Sequence, residues 1–162
     1  MFDPVRICSI LLEEEVDFVV LGGFAAIVRG SSLPTKDIDV IPSRDRSNLN
    51  RLAQALARMN AKIRISGDPV PAKIDGAFLV NTPHMLNLVT DFGEMDLTFT
   101  PSGSAGDFEG WSRNATAEEV QDGVTVLVAS LDDIIDSKRA ANRPKDQMAL
   151  PYLESLRDEI RR

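Results

Sequence analysis

The sequence predicts an α/β (α+β) fold, a mixed β-sheet flanked by helices and finished by C-terminal helices. Three observations lead there. Short branched or alternating runs, "DFVVLG", "DIDVI" and "VTVLVA", read as strands. Between them lie stretches with apolar residues at helical intervals. Two alternating arms, "NLVTD" and "EMDLTFT", flank Phe92-Gly93 as a hairpin, so the sheet is not purely parallel.

Each element follows from its residues. Over 4–15, Val5, Cys8, Ile10, Leu11 and Leu12 fall broadly on one side of a helix, with Pro4 near its start. "DFVVLG" is a buried strand ended by Gly22-Gly23, and "FAAIVRG" a short helix stopped by Gly30. "SSLPT" is a loop before the strand "DIDVI". Leu49, Leu52, Leu56 and Met59 set a helix over 43–60, and "AKIRI" alternates as a further strand. Residues 66–83, with Pro69, Pro71, Gly67, Gly76 and Pro83, read as loop, and so does "PSGSAGDFEGW". "VTVLVA" is the last strand. Ser130 is the N-cap of a helix reaching Asn142, with Asp132 and Asp133 in its first turn. Pro144 suits the first turn of a final helix, with a kink expected at Pro151.

Length and composition bound the function. A chain of 162 residues with 43% hydrophobic and 27% charged residues fits one folded domain, residues 1–162. The single cysteine, Cys8, cannot form an internal disulfide and reads as a small buried apolar residue. With one histidine, His84, the sequence argues against a His-based triad or zinc site, and His84 reads as a surface or loop residue. The apolar run "FVVLGGFAAIV" is too short for a bilayer, which needs about 20 residues. With no leader pattern at the N-terminus, a cytoplasmic protein without a membrane partner is expected. The net charge of −7 disfavours a long nucleic-acid footprint, although residues 138–162 carry seven Lys/Arg against four acids.

Two aspartates in "DIDVI" need an explanation. In a strand, Ile38 and Val40 face the core, so Asp37 and Asp39 share the opposite face, about 7 Å apart at Cα. Adjacent carboxylates repel, and a divalent cation between them removes that cost. A solvent-facing D-x-D without chemistry is the plain alternative. In "EMDLTFT", Met95, Leu97 and Phe99 form the core face and Asp96 points with Thr98 the other way. If the two strands are neighbours, Asp96 joins the pair, and three carboxylates can hold two metals. Asp91 and Glu94 compete as third acid nearer the turn. Gly22-Gly23 outlines a phosphate cradle, because glycine lets backbone approach a ligand.

Gly22-Gly23, thirteen residues, Asp37-Ile38-Asp39-Val40 and a later strand aspartate together resemble the nucleotidyltransferase superfamily of DNA polymerase β. "LPTKDIDV" is similar to the stretch through the metal-binding aspartates of AbiEii-type nucleotidyltransferase toxins of toxin–antitoxin systems. "SKRAANRPKDQMAL" resembles their later Lys…Arg-x-Lys/Arg-Asp motif, here Lys138, Arg143, Lys145 and Asp146. The likeness spans about residues 17–150. The acid often found after Lys/Arg-Asp is missing, since Gln147-Met148-Ala149-Leu150 follows.

The resemblance implies a nucleotidyltransferase fold and a Mg²⁺-dependent transfer of NMP from an NTP to an acceptor hydroxyl. It implies Asp37, Asp39 and Asp96 as ligands of two Mg²⁺ ions, Gly22 and Gly23 on the triphosphate, and Lys138 on a phosphate. Arg143, Lys145 and Asp146 are further candidates for the nucleotide, with Asp146 orienting a basic residue. Lys138 lies inside the apolar stripe Leu131, Ile134, Ile135, Ala141, so it must snorkel, pair or reach a cleft. Thr35 and Lys36 are candidates for phosphate contact. Trp111 could stack on a base or anchor a loop on the core. The implied partners are an NTP, an acceptor among tRNA, protein or small molecule, and a cognate antitoxin. A phosphotransferase on the same scaffold and a non-catalytic module of a toxin–antitoxin pair remain the rival readings.

Overall fold

The computed structural model of the protein describes all residues, 1–162. Helix α1 (Pro4–Glu13) starts where the Asp3 side chain accepts from the Arg6 N–H at 3.0 Å. It buries Ile7, Cys8, Ile10 and Leu11. Strand β1 (Phe18–Leu21) is buried throughout. Helix α2 (Gly22–Val28) follows with no loop, so both glycines form its first turn rather than a linker. Strand β2 (Asp37–Pro42) and helix α3 (Arg46–Arg58) come next, the latter burying Leu49, Leu52, Ala55 and Leu56. The alternating run at 61–65 shrinks to a two-residue strand, β3 (Lys62–Ile63).

The region expected to be loop at 66–83 contains a short helix, α4 (Gly76–Val80). Its start is fixed by Asp75, whose carboxylate accepts from the Phe78 N–H at 2.8 Å. The hairpin forms from β4 (Met85–Thr90) and β5 (Gly93–Thr98), joined at Asp91-Phe92. The second expected loop ends in helix α5 (Phe108–Asn114), capped by Asp107. Strand β6 (Thr116–Gln121), absent from the sequence reading, pairs with β7 (Val124–Val128). In β6 most residues are exposed, so it lacks the apolar run that marks an inner strand. Helix α6 (Leu131–Ala141) has the Ser130 cap and closes on Asn142 in the left-handed region. Helix α7 (Pro144–Ile160) runs through Pro151 as one helix.

The seven strands form one mixed sheet in the order β3-β4-β5-β2-β1-β7-β6. Three pairings position the site. β1 runs antiparallel to β2 with Leu21 opposite Asp39. β2 runs parallel to β5 with Asp39 opposite Asp96. β4 runs antiparallel to β5 with Asn87 opposite Asp96. Alternation then sends Ile38, Val40, Met95 and Leu97 into the core, where all four are fully buried. A single cluster of 34 buried apolar residues, including fully buried Cys8, holds the sheet and helices together. No helix is long and apolar enough to cross a membrane.

Candidate active site

Because β2 and β5 are in register, Asp37, Asp39 and Asp96 project from one face of adjacent strands. One carboxylate oxygen from each lies within 4.8 Å of the others. Asp91 and Glu94 are not part of this group. The cluster sits in a cleft of about 1050 Å³. Burial first, then the charges of Asp37 and Asp96, push the Asp39 carboxyl up from 3.8 to about 7. Burial also raises Asp96, against a hydrogen bond and charge from Arg64 that pull it down.

Arg64 escaped the sequence reading. Its guanidinium donates to Asp96 Oδ1 at 2.7 Å and to the Leu88 carbonyl at 2.9 Å. The available signal was one arginine alternating with Ile63 and Ile65 in a strand-like run. Nothing in that run says which neighbouring strand would meet it.

Gly22 stands at the junction of β1 and α2 with φ +74°, a conformation that L side chains rarely adopt. A Cβ there would overlap the Asp39 carboxylate. Gly23 faces Thr35, with 3.1 Å from a built Cβ to Thr35 Oγ1. Thr35 Oγ1 in turn donates to the Asp37 carbonyl at 3.1 Å, tying the loop to the first aspartate. Gly22, Gly23, Thr35 and Lys36 all line the cleft beside the carboxylates. Gly22→Ala is expected to displace Asp39, abolish any Mg²⁺-dependent response to NTP in a thermal-shift assay, and lower Tm through its strained φ. A variant with wild-type Tm and wild-type response would refute the packing argument.

Lys138, Arg143 and Lys145 reach the same cleft from α6 and the start of α7. Lys138 solves its placement in an apolar stripe by pairing: its Nζ lies 3.6 Å from Asp146 Oδ1. Arg143 Nε lies 2.7 Å from Asp146 Oδ2, which also accepts the Arg143 backbone N–H at 3.1 Å. Asp146 itself has 0% exposure and is not among the residues lining the cleft; it touches Lys138 and Arg143, which are. Burial would raise its carboxyl, but the Arg143 hydrogen bonds and the Lys138 charge hold it below the usual range. Its place is behind the two cations, anchoring them.

Trp111 lies on α5 rather than in a loop, is 1% exposed as part of the apolar core, and borders the cleft. His84 is exposed, with Nδ1 3.0 Å from Thr100 Oγ1. The sequence motifs therefore meet at one place, apart from the buried Asp146.

No protein-family model matches the chain, and no curated protein matches it in sequence. Solved structures do match in fold. The lincosamide antibiotic adenylyltransferase LnuA aligns at TM-score 0.61 and 15% identity, covering 93% of this chain and 94% of LnuA. ANT(2")-Ia, solved with adenylyl-2"-tobramycin, aligns at TM-score 0.56 and 16% identity, covering 96% and 93%. The protein TM1012 from Thermotoga maritima aligns at TM-score 0.52 and 16% identity, covering 99% and 96%. The chain has the nucleotidyltransferase fold, a mixed sheet flanked by helices.

Proposed function

We propose that the protein is a divalent-metal-dependent nucleotidyltransferase. An acceptor hydroxyl attacks the α-phosphorus of an NTP, a new phosphoester bond forms, and pyrophosphate leaves with the cleaved P–O bond. The observation that carries this reading is the convergence of Asp37, Asp39 and Asp96 in one cleft. Three carboxylates are a hard oxygen donor set of the kind Mg²⁺ takes, and Asp39 is poorly tolerated as an anion without a cation. Two Mg²⁺ ions held by these residues would neutralise phosphate charge and acidify the attacking hydroxyl.

The remaining chemistry belongs to the chain. Gly22 and Gly23 let the triphosphate approach the backbone. Lys36, Lys138, Arg143 and Lys145 line the cleft as its phosphate-binding cations. Asp146 fixes Lys138 and Arg143 so that their charges are already in place when substrate arrives. Arg64 holds Asp96 in position. Catalysis on this scheme is positioning plus charge neutralisation.

The likeness of "LPTKDIDV" and of the Lys138–Asp146 stretch to AbiEii-type toxins extends the proposal to a cytoplasmic toxin with a cognate antitoxin. The fold neighbours LnuA and ANT(2")-Ia support nucleotidyl transfer in general and do not bear on toxicity. Incubation with Mg²⁺ and ATP labelled at the α- or γ-phosphate tests the reaction. The expected result is α-label on the acceptor and free labelled pyrophosphate from the γ-label. Transfer of γ-label would instead make the protein a phosphotransferase. Absence of any Mg²⁺-dependent NTP binding, in wild type as in Asp37→Ala/Asp39→Ala, would leave a non-catalytic module.

A further inference from the structure

A single arginine reaches two acids on one face of β5. Register sets Glu94 opposite Asp37 and Asp96 opposite Asp39, and alternation turns Glu94 and Asp96 to the same side. Arg64 follows β3, with its backbone N–H on the Asn87 carbonyl at 2.9 Å. From there its guanidinium crosses β4 to β5. Nη2 lies 2.7 Å from Asp96 Oδ1, Nη1 donates to the Leu88 carbonyl at 2.9 Å, and Nε lies 3.9 Å from Glu94 Oε1.

Asp96 therefore has two claimants. One of its oxygens is already bonded to a cation, and its side chain is 11% exposed, so water is a poor substitute for that partner. A divalent ion among Asp37, Asp39 and Asp96 would meet a positive charge on the same carboxylate, and like charges that close repel. Glu94 gives the guanidinium a second place to go. It stands at the outer limit of ion pairing and is not one of the three clustered carboxylates. A turn of the Arg64 side chain toward Glu94, with the Leu88 carbonyl as pivot, would free Asp96 Oδ1 without leaving a half-buried charge unpaired.

We propose that Arg64 is a switchable counter-ion that competes with divalent metal for Asp96, with Glu94 as its alternative partner. This rests on the metal-dependent reading above and adds a residue that tunes metal affinity without being a ligand. Competition and simple support differ in sign. A guanidinium that only holds Asp96 in place raises metal affinity, and one that competes lowers it.

Mn²⁺ binding to the full, nucleotide-free chain, read by the EPR signal of free Mn²⁺, separates the two. Arg64→Gln is expected to tighten Mn²⁺ binding about tenfold, a modest share of what one unit charge beside a divalent ion is worth in screened surroundings. Glu94→Gln is expected to weaken it about threefold, because Arg64 is then left with Asp96 as its only carboxylate. In the Arg64→Gln background the Glu94 substitution should change binding by less than about twofold, since the two residues act through one contact. Arg64→Met, which keeps the aliphatic stem, replaces Arg64→Gln if Tm shows that fold disturbed. Unchanged or weaker binding in the Arg64 variant, or an equal loss from Glu94→Gln in both backgrounds, overturns the inference. Absence of Mn²⁺ binding in wild type, Arg64→Gln and Glu94→Gln alike would instead overturn the parent reading.

Discussion

Asp39→Asn is expected to make the metal-free protein more stable and the enzyme inactive. In the fold the Asp39 carboxyl sits at about 7 rather than 3.8, through burial first and then through Asp37 and Asp96. Between about pH 4 and pH 7 the folded chain therefore keeps a proton that the unfolded chain releases. With more protons bound in the native state, stability falls as pH rises through that window. The full rise corresponds to at most ~4 kcal/mol, from 1.36 kcal/mol per pH unit. Asparagine removes this penalty, so Tm at pH 7.5 without metal should rise by roughly 5 °C, the equivalent of about 2 kcal/mol for a chain of this size. On the proposed mechanism, nucleotidyl transfer should drop on the order of 10³-fold, because a metal ligand there would supply several kcal/mol to the transition state. Thermal melts from pH 4 to 8, with and without Mg²⁺, check both halves. Wild type should lose stability with rising pH only when Mg²⁺ is absent. A lower metal-free Tm in Asp39→Asn would contradict the electrostatic account.

Asp146→Ala is the second large effect, and here the loss is structural. The carboxylate is fully buried between Lys138 and Arg143 and closes the first turn of α7 through the Arg143 N–H. Lys138 is 19% exposed and would keep a nearly buried charge with no partner. Breaking a buried pair from one side costs about 3–5 kcal/mol. Arg143 is more than half exposed and recovers water contacts, which favours the lower end, about 3 kcal/mol, or a fall in Tm of about 6–12 °C. Asp146→Asn should lose less, because its side-chain oxygen still accepts the Arg143 N–H. NTP affinity should weaken in both variants, since Lys138 loses its anchor. The Asp146 carboxyl lies below its ordinary value, so its contribution is complete above about pH 4 and disappears as pH falls below that. A denaturant titration showing Asp146→Ala as stable as wild type would refute this role.

Both effects start from residues that could be read in the sequence, and the reasons they were legible are physical. Asp37 and Asp39 alternate with Ile38 and Val40, so a single strand assignment decides which face each takes. Asp96 alternates with Met95 and Leu97 in the same way. The helix starts at Ser130 and Pro144 were legible because capping is a local interaction. Arg64 was not, because its meaning depends on β3 pairing with β4, and that is a contact between distant segments. Strand β6 was hidden by its exposed edge position, where little apolar patterning is needed. Helices α4 and α5 were hidden for the opposite reason. Their segments are rich in Gly and Pro, and one carboxylate cap in each, Asp75 and Asp107, is enough to start a short helix.

The parallel pairing of β2 with β5 has a consequence for assembly. Asp39 and Asp96 stand side by side although α3, β3, α4 and β4 lie between their strands in the chain. A slip of one position between those strands would turn Asp96 to the opposite face and leave the other two acids without their third member. On the proposed function, cation capture would be reserved for molecules whose sheet has closed in register, and a bound divalent ion would report on strand alignment as much as on chemistry.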